Sequence, residues 1–254
     1  ERLKVIFLTG TAGAGKSLLT SKIKEYYAKN SAFPATLNLD PGVGHLPYSP
    51  DVDVRDYVDI NSLMEEYGLG SNGSLIMAND LIATKIDQIQ TEVDTINPDY
   101  LLVDTPGQVE LFAYRDSGPF FVKNIHGDEK MNLFLYDGTM ITSPSNFVSL
   151  SLLSTSIRLR LGLPTINAIT KTDLIQDKLN EVLGWSSNED NLEEQISKEV
   201  DGETLPLISD MYRTLNNNDF FEDLFPVSNV TGDGMVELES ALSRIINLGE
   251  EVED

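Results

Sequence analysis

Short apolar runs alternate with helix-spaced stripes along the chain. Nearly continuous apolar runs occur at Val5–Leu8, Ala35–Leu39, Tyr100–Val103, Leu133–Tyr136 and Pro164–Ile169, and a last one ends near Val227. Strands of a parallel sheet, buried on both faces, read this way. Between the runs, Leu19, Ile23 and Tyr26 fall at i, i+4 and i+7. Phe147, Leu150, Leu153, Ile157 and Leu161 trace a second stripe. Met235, Leu238, Leu242, Ile245 and Ile246 trace a third, after the Gly232-Asp233-Gly234 turn. This spacing predicts amphipathic helices. Strand–helix alternation predicts an α/β fold with right-handed crossovers. Two segments break the rhythm, 41–95 and 177–223, and both read as insertions on a core. No internal repeat or low-complexity linker divides the chain, so a single domain over 1–249 with an acidic tail at 250–254 is expected.

Charge narrows the function classes. The 254 residues carry 41 Asp and Glu against 18 Lys and Arg, a net charge of −23. Phosphate backbones and anionic membranes are bound by clustered Lys and Arg, so neither direct nucleic-acid binding nor an electrostatic membrane anchor is expected. Segment 177–223 holds thirteen acidic and three basic residues, and Glu250, Glu251, Glu253 and Asp254 add four more acids. That acidity reads as a solvated face, or as a docking surface for a basic partner. There is no cysteine, which excludes disulfides and thiolate chemistry. Only His45 and His126 are present, too few for a multi-histidine metal site. No apolar run approaches the roughly 20 residues of a membrane span, and the short N-terminal run does not resemble a signal peptide. A cytoplasmic protein is expected. The triplets at Asn72–Ser74 and Asn229–Thr231 match a glycosylation acceptor and read as coincidence without a secretory signal.

The chemistry starts at Gly10-Thr11-Ala12-Gly13-Ala14-Gly15-Lys16-Ser17, which fits the phosphate-loop pattern G-x-x-x-x-G-K-[ST]. Glycines let consecutive backbone N–H groups curl around phosphate oxygens. Lys16 reaches the β- and γ-phosphates, and the Ser17 hydroxyl binds Mg²⁺. The helix that opens here, with Leu18 as its next residue, adds its N-terminal dipole. A predicted strand before the loop and a predicted helix after it distinguish this match from a chance Gly-rich turn. The fold expected is therefore a P-loop NTPase: three layers, α/β/α, around a mainly parallel sheet with helical insertions. A second marker is the strand that ends in Asp104-Thr105-Pro106-Gly107-Gln108. Asp104 fits a Walker-B acid that holds Mg²⁺ directly or through water. The Gly107 N–H suits a γ-phosphate, and Gln108 stands where GTPases place a water-orienting Gln.

A third marker concerns the base. The run 165–173 is a strand ending in Thr170-Lys171-Thr172-Asp173. This is similar to the Asn/Thr-Lys-x-Asp motif of GTPases, whose carboxylate accepts from guanine N1–H and the exocyclic amine. Adenine lacks that donor pair, so one carboxylate discriminates strongly. The stem of Lys171 would lie against the base plane. A cap of the next helix by Asp173 is the plainer alternative. In Pro226-Val227-Ser228-Asn229, a backbone N–H of Ser228 or Asn229 could contact guanine O6.

Taken in order, the motifs closely resemble the GPN-loop GTPases, as an archaeal-type, single-domain member. The resemblance runs from Val5 to about Ile246. It rests on Gly10–Ser17, Asn38–Val43, Leu46-Pro47-Tyr48, Asp51–Arg55, Gly68–Gly73, Asp104–Glu110 and Thr170–Asp173. The family's Gly-Pro-Asn is Gly70-Ser71-Asn72 here, which removes a proline that would pre-set φ. The resemblance implies a Mg²⁺-dependent GTP-hydrolysing switch with GTP and GDP as ligands. It also implies a homodimer in which Asn72 approaches the partner's phosphates. Asp40 would activate water or help hold Mg²⁺, with Gln108 and Glu110 positioning the water. Arg55 would either pair with Asp53 or neutralise phosphate charge, and the pairing is favoured. Eukaryotic relatives suggest a protein partner connected with RNA polymerase assembly. Competing readings are a MinD-like dimeric ATPase, a P-loop small-molecule kinase and a nucleotide-binding scaffold without turnover. The scarcity of Arg argues against the kinase, because a kinase lid would need it.

Overall fold

The computed structural model describes residues 2–187, 189–199, 204–218, 220–221 and 224–247. The expected acidic tail and part of 177–223 lie outside these residues. Seven strands form one sheet: β1 (Lys4–Gly10), β2 (Pro34–Asn38), β3 (Val52–Asp53), β4 (Tyr100–Asp104), β5 (Glu129–Asp137), β6 (Thr165–Thr170) and β7 (Leu224–Pro226). Their order is β3-β2-β4-β1-β5-β6-β7, and every pairing is parallel. Parallel pairing needs crossovers, and helices supply them.

Side chains alternate between two cores. Val5, Phe7, Leu101, Val103, Phe134 and Tyr136 pack into the core on one face. Ile6, Leu8, Leu102, Leu133 and Leu135 pack into the core on the other. The second face is covered by α1 (Lys16–Lys29) and α11 (Met235–Asn247). The first face is covered by α2 (Ile60–Tyr67), α3 (Ser71–Ala83), α4 (Ile86–Ile96), α5 (Val109–Ala113), α6 (Ser117–Asn124) and α7 (Pro144–Leu161). The helices α8 (Gln176–Ser187), α9 (Glu189–Glu199) and α10 (Thr204–Asn216) join the same side. Three α/β/α layers result, as expected, and the helices are distributed unequally between the two faces.

The structure departs from the sequence reading in three places. The stripe of α1 continues from Leu19 and Ile23 to Tyr27, 4% exposed, while Tyr26 is only partly buried beside it. Tyr27 stacks on Tyr100 with ring centroids 4.1 Å apart. Segment 41–95, expected as an insertion, contributes the edge strand β3 and the crossover helix α4. β3 escaped notice because two residues make no periodic signal. Segment 177–223, in its described part, packs its helices on α7. There Phe147 meets Trp185 and Phe221, and Phe221 stacks on Tyr212.

Candidate functional site

All strands run the same way, so β1, β2, β4, β5 and β6 bring Gly10, Asn38, Asp104, Asp137 and Thr170 to one edge of the sheet. Ligands of open α/β sheets bind at this edge. The loop from Gly10 to Lys16 leaves β1 there. Gly13 and Gly15 take φ of 79° and 86°, a left-handed region that side chains disfavour. Thr11 accepts from the Ala14 N–H (3.1 Å), while Ala12 and Gly13 are exposed at the loop's crest. Leu18 is 36% exposed on α1 just beyond it.

Lys16 is buried, and its Nζ donates to the carbonyls of Gly10 (3.0 Å), Thr11 (3.1 Å) and Gly107 (3.3 Å). Burial lowers its pKa, while the nearby Asp104, Asp40 and Glu110 carboxylates push the other way. Lys16 and Asp40 meet on the two sides of one residue, Gly107, whose carbonyl accepts from the ammonium and whose N–H donates to the carboxylate. Gln108 caps α5 and is exposed, as is Glu110 in its first turn.

Asp104 ends β4, is buried, and has its carboxyl pKa raised, chiefly by burial, against the pull of Ser17, Tyr48 and Lys16. Its Oδ2 accepts from the Tyr48 hydroxyl (2.9 Å). Its Oδ1 has no hydrogen-bond partner among the described residues. A buried carboxylate oxygen left open beside the Ser17 hydroxyl is the donor set a hard cation takes. Mg²⁺ uses one or two protein oxygens and leaves the rest to phosphates and water. Ser17 and Asp104 therefore fit the implied Mg²⁺. Among the described residues no group of three His, Cys, Asp or Glu side chains is arranged to hold a metal.

Asp40 is differently engaged. Its Oδ1 accepts from the Gly42 N–H and its Oδ2 from the Gly107 N–H, both at 2.9 Å. Both oxygens are thus held by backbone donors, each with a lone pair to spare. Asp40 also grips the very amide that the sequence reading assigned to the γ-phosphate. Asn38 braces the turn: its Oδ1 accepts from the Asp40 N–H and its Nδ2 donates to Asp53. Arg55 donates twice to Asp53 through Nε, and through Nη2 at 2.6 Å, while its Nη1 reaches the Val43 carbonyl (3.1 Å). The structural ion pair is the one formed, and it stitches the loop after Asp40 to β3.

The residues expected at the base gather across β6. Thr170 is buried, and its hydroxyl lies 2.8 Å from the Ala14 carbonyl and 3.0 Å from that of Tyr136. It therefore clamps the phosphate loop to the sheet. Lys171 takes a left-handed backbone, φ 58°, and donates to Asp137 (2.6 Å). Asp173 accepts from the Ser228 hydroxyl (2.7 Å). The Ser228 N–H is spent on the Asp233 carbonyl. Asn229 donates to the Gly15 carbonyl (3.4 Å), and its buried Oδ1 has no partner among the described residues. Asn72 is exposed in the first turn of α3, behind the Gly68 turn that ends α2. The Gly-Ser-Asn segment thus starts a helix and is only partly loop. A cavity of about 400 Å³ separates Ser71 from Pro41–Gly44 and Arg55.

Two functional neighbours escaped sequence reasoning. Tyr48 braces Asp104; the sequence marked it as part of the Leu46-Pro47-Tyr48 motif but gave it no role. Asp137 braces Lys171, with no signal beyond its place at the end of an apolar run.

This sheet order, with a lysine-bearing glycine loop between the first strand and its helix, defines a P-loop NTPase. A family model described as "Conserved hypothetical ATP binding protein" matches residues 8–248. A GPN-loop GTPase of Pyrococcus abyssi is 32% identical over 179 residues, covering 70% of this chain and 71% of that one. GPN-loop GTPase 1 of Dictyostelium discoideum is 30% identical over 76% of this chain, an alignment that spans 49% of the relative's length. A crystal structure of a P. abyssi GTPase, described as the apo form, superposes with a TM-score of 0.84 at 27% identity. It covers 95% of this chain and 96% of that one. The chain belongs to the GPN-loop GTPase family.

Proposed function

We propose that this protein binds GTP with Mg²⁺ and hydrolyses it to GDP and phosphate, acting as a homodimer. The observation that carries the reading is the convergence of Lys16, Asp40 and Asp104 with the Gly107 amide at the edge of the sheet. Phosphoryl transfer asks the protein for positioning and charge more than for covalent chemistry. Lys16 neutralises charge growing between the β- and γ-phosphates. Mg²⁺, when bound at Ser17 and Asp104, supplies further neutralisation. The γ-phosphate competes with the Asp40 carboxylate for the Gly107 N–H. A carboxylate freed from that amide lies beside the attacking water, which Gln108 and Glu110 help to orient. Water attacks phosphorus, the bond to the β-phosphate oxygen breaks, and GDP leaves.

Guanine selectivity is assigned to Asp173. The exposed Asn72 at the tip of the α2–α3 hairpin is suited to reach a second subunit's phosphates. Nucleotide state would then time an assembly step in the cytoplasm, with a complex such as RNA polymerase as the candidate partner on family grounds. The decisive measurement is phosphate release from GTP and from ATP with no acceptor present. Release from GTP at least tenfold faster supports the reading. Release only from ATP favours the ATPase alternative, and release only with an added acceptor favours the kinase. If Asn72→Ala leaves turnover of the dimer unchanged, the exchange of loops is wrong.

A further inference from the structure

Asp137 stands outside the chemistry described so far, yet it is built as a fixed anion. It ends β5 in direct register with Thr170 at the end of β6, so it faces the start of the Thr170–Asp173 motif across the strand pair. Its side chain is 7% exposed. One oxygen is filled locally: Oδ1 accepts from the Thr139 N–H (3.0 Å) and from the Thr139 hydroxyl (2.6 Å). The other, Oδ2, accepts from Lys171 Nζ at 2.6 Å. Burial by itself would raise this carboxyl's pKa, but the bonds from Lys171 and Thr139 outweigh it and hold the group ionised. The next residue, Gly138, lets the loop lie against β6, because a Cβ there would sit 2.5 Å from the Thr170 carbonyl oxygen.

The effect falls on Lys171. A lysine at φ 58° is strained, and a contact that holds its side chain offsets that strain. That turn of the backbone launches the short 3-10 turn Thr172–Leu174, which carries Asp173. Asp173 is gripped at its far side by Ser228. Among the described residues its other oxygen has no side-chain tie, and its position on that side follows the backbone that Lys171 sets. The bond from Lys171 to Asp137 ties the end of β6 to the end of β5, and the preceding residue, Thr170, holds the Ala14 carbonyl of the phosphate loop.

We propose that Asp137 is a specificity-determining positioning residue, which anchors Lys171 across the strand ends so that its stem shelves the base and Asp173 is aimed at guanine. This rests on the guanine reading above. The plainer alternative is an ion pair that only joins β5 to β6. The two differ in what they predict for base discrimination.

The test measures equilibrium binding of fluorescent GDP and ADP to the full chain and to Asp137→Asn, Asp137→Ala, Lys171→Met and the double variant Asp137→Asn/Lys171→Met, with thermal melts alongside. Expected is a loss of GDP affinity of tenfold or more in Asp137→Asn, with ADP affinity changed less than twofold. Lys171→Met keeps the apolar stem but loses the anchor, so it should match Asp137→Asn. The double variant should be no weaker than either single one. A GDP-to-ADP ratio within twofold of wild type in the folded single variants overturns the proposal, even if their melting temperatures fall. Should Asp137→Ala not fold, the isosteric Asp137→Asn and Lys171→Met still decide it. Wild-type protein that binds ADP as well as GDP fails the guanine reading itself, which is visible before any variant is made.

Discussion

At the scale of single residues, most of the site turns on which partner each side chain has taken. The motif positions of Lys16, Ser17, Asp104 and Asp173 were legible because their residue types and spacing are dictated by phosphate, cation and base. The occupancy of Asp40 was not, since a carboxylate's hydrogen bonds to Gly42 and Gly107 leave no trace in sequence. Nor was Tyr48. Its hydroxyl donates to Asp104 Oδ2 at 2.9 Å, so Tyr48→Phe should weaken Mg²⁺-dependent turnover about three- to tenfold. Titrating GTPase rate against Mg²⁺ checks it, with Mg²⁺-free GDP affinity unchanged. Lys16→Met should lower turnover at least 100-fold, because it removes the ammonium at the growing charge. Single-turnover phosphate release would read that loss.

Elements decide stability as well as placement. α1 follows the phosphate loop, α11 follows the Ser228–Gly234 loop, and the two helices meet over one face of the sheet. At their joint, Glu239 is 1% exposed and faces Tyr27 of α1, with Tyr100 of β4 and Ser243 also in the cluster. Neither Glu239 oxygen has a hydrogen-bond partner among the described residues. Burial pushes its carboxyl up to about 8. The folded protein therefore holds this proton more tightly than the unfolded chain does. Stability from this group is intact below about pH 4.5 and is lost as pH rises toward 8, by on the order of a few kcal/mol. Denaturant melts of wild type and Glu239→Gln across that range should converge at the acid end and diverge at the alkaline end, the variant being more stable there. On the other face, Trp185→Ala should cost about 3–5 kcal/mol, since it empties the aromatic cluster that fixes α8 to α7. The equilibrium unfolding midpoint would show it.

Over the whole molecule, the charge of −23 is a field as well as a set of sites. Like charges repel in the compact state, and salt screens them. Ion pairs among the described residues are mostly half-exposed, so screening them costs little. Raising NaCl from about 0.01 to 0.3 M should therefore raise the melting temperature by several degrees. A fall on adding salt would mean that attraction between surface charges outweighs repulsion. On the proposed function, Lys16 and the loop amides would give an anionic ligand a local cradle within this acidic whole. Among the described residues no helix is long and apolar enough to cross a membrane.

The apolar runs by themselves determined the parallel α/β sheet, because a strand buried on both faces must be apolar throughout and a crossover helix must show a stripe. Gly10–Ser17 and Thr170–Asp173 determined where phosphate and base chemistry would lie, because those ligands admit few residue types at few spacings. Tertiary structure alone decided the rest. It stacked Tyr27 on Tyr100, a ring contact that depends on a strand more than 70 residues away. It drew β3 into the sheet through two hydrogen-bonded residues with no periodicity of their own. It paired Asp137 with Lys171 and Tyr48 with Asp104, contacts that exist only once distant strand ends share an edge. Local pattern is a one-dimensional signal, whereas the partner of a buried charge is set by what the fold brings within 3 Å of it.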